Sequence, residues 1–162
     1  MEDRWKTANT LAAQARGLLS VETDVIANAA NLSALLFMEL EQVNWVGFYL
    51  LKGNELVLGP FQGKPACVRI TLGQGVCGTA AETHQTQRVA DVELFSGHIA
   101  CDAASRSELV VPLIHQGKLL GVLDIDSPVV DRFSASDQVM LEEVARVFLD
   151  SIREASNKSE TP

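Results

Sequence analysis

Apolar residues recur at helical spacing in two early stretches, Thr10–Leu19 and Asp24–Leu40, the second with Val25, Ala29, Leu32, Leu36 and Leu40 on one stripe. Two helices follow. Thr23 or Asp24 is placed to accept from the first free amides of the second, and Gly17 weakens the end of the first. From Asn44 the pattern changes. The run NWVGFYLL is rich in β-branched and aromatic residues, KGN supplies a turn, and Glu55–Leu58 alternates again, which predicts a β-hairpin. Cys67–Thr71 reads as a third short strand. A glycine-rich loop, Leu72–Gly78, then opens a short helix through Glu82, and Arg88–Ala90 reads as a fourth strand.

Asp91–Ser107 is polar and irregular, a long loop of the kind that carries function. Two strongly apolar runs follow, Ser107–His115 and Lys118–Ser127, joined by Gln116-Gly117 as a tight hairpin. Ser134 and Asp137 form a capping-box pattern ahead of a last helix, Ala135 to about Ala155. Its expected apolar stripe is Val139, Leu141, Val144, Phe148 and Ile152, with a frayed polar tail from Asn157. The order predicts an α+β fold: an antiparallel sheet with helices on one face and loops closing over the other as a pocket lid.

At 162 residues, 47% hydrophobic and 21% charged, the chain reads as one globular domain over its whole length. Such a chain buries about 70% of its unfolded surface and needs no disulfide or metal to hold a core. The formal net charge of −8, with no Lys/Arg cluster, argues against a nucleic acid or membrane partner. No stretch approaches the roughly 18 apolar residues of a membrane helix. The polar start MEDRWKTANT and an odd count of 3 cysteines fit a reducing cytoplasm.

Cys67, Cys77 and Cys101 all lie mid-chain, and each has an ordinary reading as a small buried hydrophobe. Cys101 stands apart because GHIACDAASRSE sets it in a polar loop between His98 and Arg106, whose charge would favour a thiolate. No pair of cysteines has zinc-ligand or CxxC spacing, so neither a Cys₃His metal centre nor a thioredoxin-like motif is expected. Asp124 and Asp126 share one strand face, opposite Leu123 and Ile125. That end of the strand is either simply wet or receives a cationic group such as a substrate ammonium. Glu108 opens the neighbouring strand and is placed to bring a third carboxyl, whose crowding would raise a pKa and retain a proton near neutrality. Trp45 is a core aromatic or a pocket wall for an alkyl group. LGQGVCG lacks the Lys-Ser/Thr ending of a phosphate loop, and no G-x-S-x-G anchors a hydrolase triad.

Together, GPFQGKPACVRITLGQGVCGTAA, QRVADV, HIACDAASRSELVVPL and GVLDIDSP closely resemble the free methionine-(R)-sulfoxide reductases, enzymes of the GAF fold, over about Asn44–Asp137. The resemblance implies a six-stranded antiparallel sheet and a homodimer packed through the N- and C-terminal helices. It implies reduction of free L-methionine-(R)-sulfoxide with electrons from thioredoxin, and no cofactor or metal. Cys101 would attack the sulfoxide sulfur, with Cys67 favoured over Cys77 to resolve the product. A disulfide from Cys67 needs its Cα within about 7 Å of that of Cys101. Glu108, Asp124 and Asp126 would line the substrate pocket, Trp45 would pack on the substrate methyl, and Glu108 or Asp126 would supply the proton. The competing expectation is a non-catalytic GAF module that senses a small molecule, which would bind free methionine sulfoxide without consuming NADPH in a thioredoxin-coupled assay. A purely structural dimerisation domain would leave the three carboxyls without a purpose.

Overall fold

The computed structural model describes residues 2–98, 101 and 103–158, with only the backbone described for 2–10 and 154–158. In chain order the elements are α1 (Glu2–Leu19), α2 (Val25–Glu39), β1 (Trp45–Lys52), β2 (Glu55–Gly63), β3 (Arg69–Thr71), α3 (Gly75–Thr83), β4 (Gln87–Val89), a 3-10 turn at Val92–Leu94, β5 (Ser107–His115), β6 (Lys118–Ser127) and α4 (Ala135–Lys158). The strands form one 6-stranded antiparallel sheet in the order β3-β2-β1-β6-β5-β4. This is the α+β architecture expected from the pattern.

Strand alternation divides the side chains into two cores. Val46, Phe48, Leu109, Val111, Leu123 and Ile125 face α1, α2 and α4. The Phe48 ring sits 4.8 Å from that of Phe148. Each such buried side chain contributes roughly 1.5–3 kcal/mol, so this face anchors the sheet. On the other face Trp45, Tyr49, Val110 and Val122 pack with Val76, Cys77, Ala80 and Ala81 of α3. Three helices therefore share one face as expected, and α3 covers part of the other.

Local signals match closely where the chemistry is specific. Gln116 and Gly117 both adopt positive φ, 51° and 76°, the turn that suits a two-residue hairpin. Ser134 and Asp137 close the capping box reciprocally: the Asp137 amide donates to Ser134 Oγ at 3.1 Å, and the Ser134 amide donates to Asp137 Oδ2 at 2.8 Å. Asp24 rather than Thr23 caps α2, accepting from the Ala27 amide at 2.8 Å.

Other boundaries need correction. α1 begins at Glu2 rather than Thr10, and α4 runs to Lys158 rather than Ala155, because polar helix formers extend helices without an apolar stripe to announce them. Residues 159–162 of the expected tail lie outside the described residues. Val139 is 60% exposed, two residues before the buried Leu141 and so on the far side of α4; the buried stripe runs through Met140, Leu141, Val144, Ala145 and Phe148. β3 is only Arg69–Thr71, leaving Cys67 in irregular chain. α3 starts at Gly75, so half of the glycine-rich run is helix rather than loop. Among the described residues no helix is long and apolar enough to cross a membrane.

Candidate active site

The sheet register assembles the site. Asp126 of β6 pairs with Trp45 of β1 on one side and Glu108 of β5 on the other, so the three residues stand in one row across the sheet. Asp124 lies two residues along β6, between Gly47 and Val110. All of these residues belong to the face away from the three large helices, because Leu123 and Ile125 take the opposite one. Alternation on β6 thus delivers both aspartates to one cavity, and the β5–β6 hairpin delivers Glu108 beside them.

Burial then decides the charge state. Glu108 and Asp124 are 7% and 5% exposed, while Asp126 is half-buried. Desolvation pushes the Glu108 carboxyl well above its ordinary range, helped by the charge of Asp124 and by a hydrogen bond to it. Asp124 is also pushed up, first by burial and next by Asp126, although its bonds to Glu108 and Cys77 pull the other way. The shared bond therefore favours the proton on Glu108. The buried Cys77 thiol donates to Glu108 Oε1 at 3.7 Å, and burial raises its own pKa. Asp124 Oδ1 has no hydrogen-bond partner among the described residues. Ligand-capable atoms of Cys77, Glu108 and Asp124 all lie within 4.8 Å of one another, the group on this face that could hold a cation.

Cys67 and Cys101 are joined in a disulfide at the cavity, with Cα atoms 5.5 Å apart across 34 residues of chain. Cys77 is the free cysteine, buried on the inner side of α3. Of the two cysteines considered as partners for Cys101, the structure pairs Cys67. The cavity bounded by Trp45, Tyr49, Cys101, Glu108, Asp124 and Asp126 has about 40 Å³ of free interior. That is room for a water or two.

All seven residues singled out from the sequence line this cavity or its disulfide. Several further lining residues were not anticipated. Tyr49 sits four residues from Trp45 on the same strand face, a relation its spacing already contained. Its hydroxyl donates to the Cys67 carbonyl at 2.9 Å. Trp45 Nε1 donates to the Lys64 carbonyl at 3.1 Å, and its ring stacks on Phe61 at 5.3 Å. Lys64 and Ser105 come from irregular chain, where no periodicity announces a site. His98 lines the cavity, but partial burial lowers its pKa and so disfavours its charge. Arg106 is engaged by Asp91 at 3.4 Å and Glu93 at 3.7 Å. The anticipated positive flanks of Cys101 are therefore a largely neutral imidazole and a guanidinium already paired.

The GAF domain family matches residues 9–148. The free methionine-R-sulfoxide reductase of Escherichia coli is 58% identical over 121 residues, covering 75% of this chain and 73% of that relative. Among solved structures, fRMsr of Staphylococcus aureus in complex with substrate is 52% identical with a TM-score of 0.86, covering 90% of this chain and 95% of that one. The free methionine-R-sulfoxide reductase of Neisseria meningitidis, in complex with its substrate, is 42% identical with a TM-score of 0.89, covering 94% and 91%. The chain belongs to the GAF-domain family and, within it, to the free methionine-R-sulfoxide reductases.

Proposed function

We propose that the chain reduces free L-methionine-(R)-sulfoxide to methionine in this cavity, with Cys101 as nucleophile, Cys67 as resolving cysteine and Glu108 as proton donor. The observation that carries the reading is a disulfide from Cys101 set beside three carboxyls, two of them buried. Trp45 offers a flat apolar wall for the substrate methyl, and Asp126, the least buried carboxyl, suits the ammonium.

The Cys101 thiolate attacks the sulfoxide sulfur while the oxygen takes a proton from Glu108, whose raised pKa keeps one available near neutrality. Methionine leaves, and Cys101 becomes a sulfenic acid. The Cys67 thiol then attacks the Cys101 sulfur, forming the disulfide and releasing water. Thioredoxin, the proposed reductant, opens that disulfide by thiol exchange and restores both thiols. The proposed working unit is a cytoplasmic homodimer of single-domain protomers, paired through the N- and C-terminal helices.

The test is turnover in a thioredoxin-coupled NADPH assay with the free amino-acid sulfoxide. Cys101→Ser should abolish methionine formation. Cys67→Ser should release one equivalent of methionine per chain and then stop. Binding of the sulfoxide with no methionine formed by the unaltered protein would instead indicate a sensing module, and sustained turnover by Cys101→Ser would remove the proposal.

A further inference from the structure

The segment carrying Cys67 is held in an unusual way. Residues 64–67 run between the end of β2 and the start of β3 in no regular element, and the nearest backbone tie is at the neighbour of Cys67, where the Leu58 amide of β2 donates to the Val68 carbonyl at 2.9 Å. Two side chains of β1 hold the segment from Lys64 to Cys67 itself. Trp45 Nε1 donates to the Lys64 carbonyl at 3.1 Å and Tyr49 Oη donates to the Cys67 carbonyl at 2.9 Å. The two rings lie stacked with centroids 5.9 Å apart, on a strand buried in the centre of the sheet. Tyr49 is only 2% exposed, so bulk solvent does not reach its hydroxyl. Burial, followed by the nearby Asp124, raises its pKa, so it remains a donor at every working pH.

We propose that Tyr49 is a positioning residue for the second chemical step: its hydroxyl holds the Cys67 backbone so that the Cys67 thiol meets the sulfenic acid on Cys101. The inference rests on the reading of Cys101 as nucleophile and Cys67 as resolving residue. The carbonyl that Tyr49 grips belongs to Cys67 itself, its carbon bonded directly to the Cα that lies 5.5 Å from that of Cys101. Without this grip the segment samples other conformations, and a smaller fraction of molecules holds the thiol in line with the Cys101 sulfur. Disulfide closure slows while the sulfenic acid waits.

The experiment is a single turnover without thioredoxin. Reduced protein and its Tyr49→Phe variant each receive one equivalent of free methionine sulfoxide, and quenched samples are analysed for methionine, for remaining thiols and for a dimedone adduct on Cys101. In Tyr49→Phe, closure should slow about three- to tenfold, the scale of one lost hydrogen bond, and the dimedone adduct should accumulate. Methionine formed together with closure as fast as in the unaltered protein, and no adduct, overturns the proposal. No methionine from the unaltered protein would instead overturn the reductase reading beneath it. Should Tyr49→Phe fail to fold, the native protein still decides. Tyr49 is the chain's 1 tyrosine, so 3-fluorotyrosine labels it alone. In the reduced protein its fluorine resonance should not titrate up to about pH 9, as for a hydroxyl kept inside the fold before closure. Titration like an exposed phenol overturns the proposal.

Discussion

Glu108 and Asp124 bear on stability through the protons they retain. Both are buried, and burial raises both pKa values, so between their ordinary range and the raised one the folded chain holds protons that the unfolded chain has released. Stability must then fall as pH rises, by about 1.4 kcal/mol per pH unit for each proton so held. Urea unfolding at pH 5 and pH 8 should show this slope, and Glu108→Gln should flatten it while removing the proton donor and slowing turnover. A chain equally stable at both pH values would contradict the protonated carboxyl on which the proposed acid step depends. At this scale the sequence was informative where geometry is periodic: two aspartates at strand spacing had to share a face. It was mute about which cysteine meets Cys101, since pairing across 34 residues depends on tertiary approach. Tyr49 was within reach of the same periodicity as Trp45, but the carbonyls these side chains hold lie in chain without a pattern.

Glycine shows how an element's surroundings reverse a propensity. Gly17 lies exposed in α1 with nothing within 4 Å of where a Cβ would stand, so Gly17→Ala should stabilise by roughly 0.4–1 kcal/mol. Gly78 lies in α3, and a Cβ there would stand 2.5 Å from the Thr71 carbonyl oxygen and 3.2 Å from the Gly73 amide nitrogen. Backbone cannot yield as a side chain can, so Gly78→Ala should destabilise by roughly 1–3 kcal/mol despite alanine's better helix propensity. Urea midpoints moving in opposite directions check both at once. The glycine-rich run therefore serves the close approach of α3 to the end of β3, which brings Cys77 beneath Glu108. Element type was legible wherever a local rule acts alone, as in the β5–β6 hairpin and the capping box of α4. Boundaries set by partners were not. β3 stops short of Cys67, and Val139 faces solvent because rotation about α4 is decided by what the helix packs against.

At the scale of the molecule, the two faces of the sheet have different duties. One is sealed by α1, α2 and α4, and this rigid layer holds β1, β5 and β6 in the register that aligns Trp45, Asp126 and Glu108. The other is covered by α3 and by long connections, and there the disulfide ties two of them together. That layering was legible because alternation and helix stripes agree on one answer. The tie has consequences for the whole chain. Closing a loop of 34 residues removes unfolded-state freedom worth up to about 4 kcal/mol, so the oxidised protein should resist urea better than the reduced one. The cavity beside the disulfide has about 40 Å³ of free interior, room for a water or two. The expectation is that an amino acid sulfoxide enters only once the bond between Cys67 and Cys101 is reduced, with the Cys67 backbone still held by Tyr49. Calorimetry should then find no binding of free methionine sulfoxide to the oxidised protein, and binding to Cys101→Ser, which can neither react nor close the bond. Equal affinity in both would mean that the cavity admits substrate with the disulfide in place. In that case the sulfoxide would also form a non-productive complex with the oxidised enzyme, and the ping-pong kinetics of a shuttling disulfide would show substrate inhibition against thioredoxin.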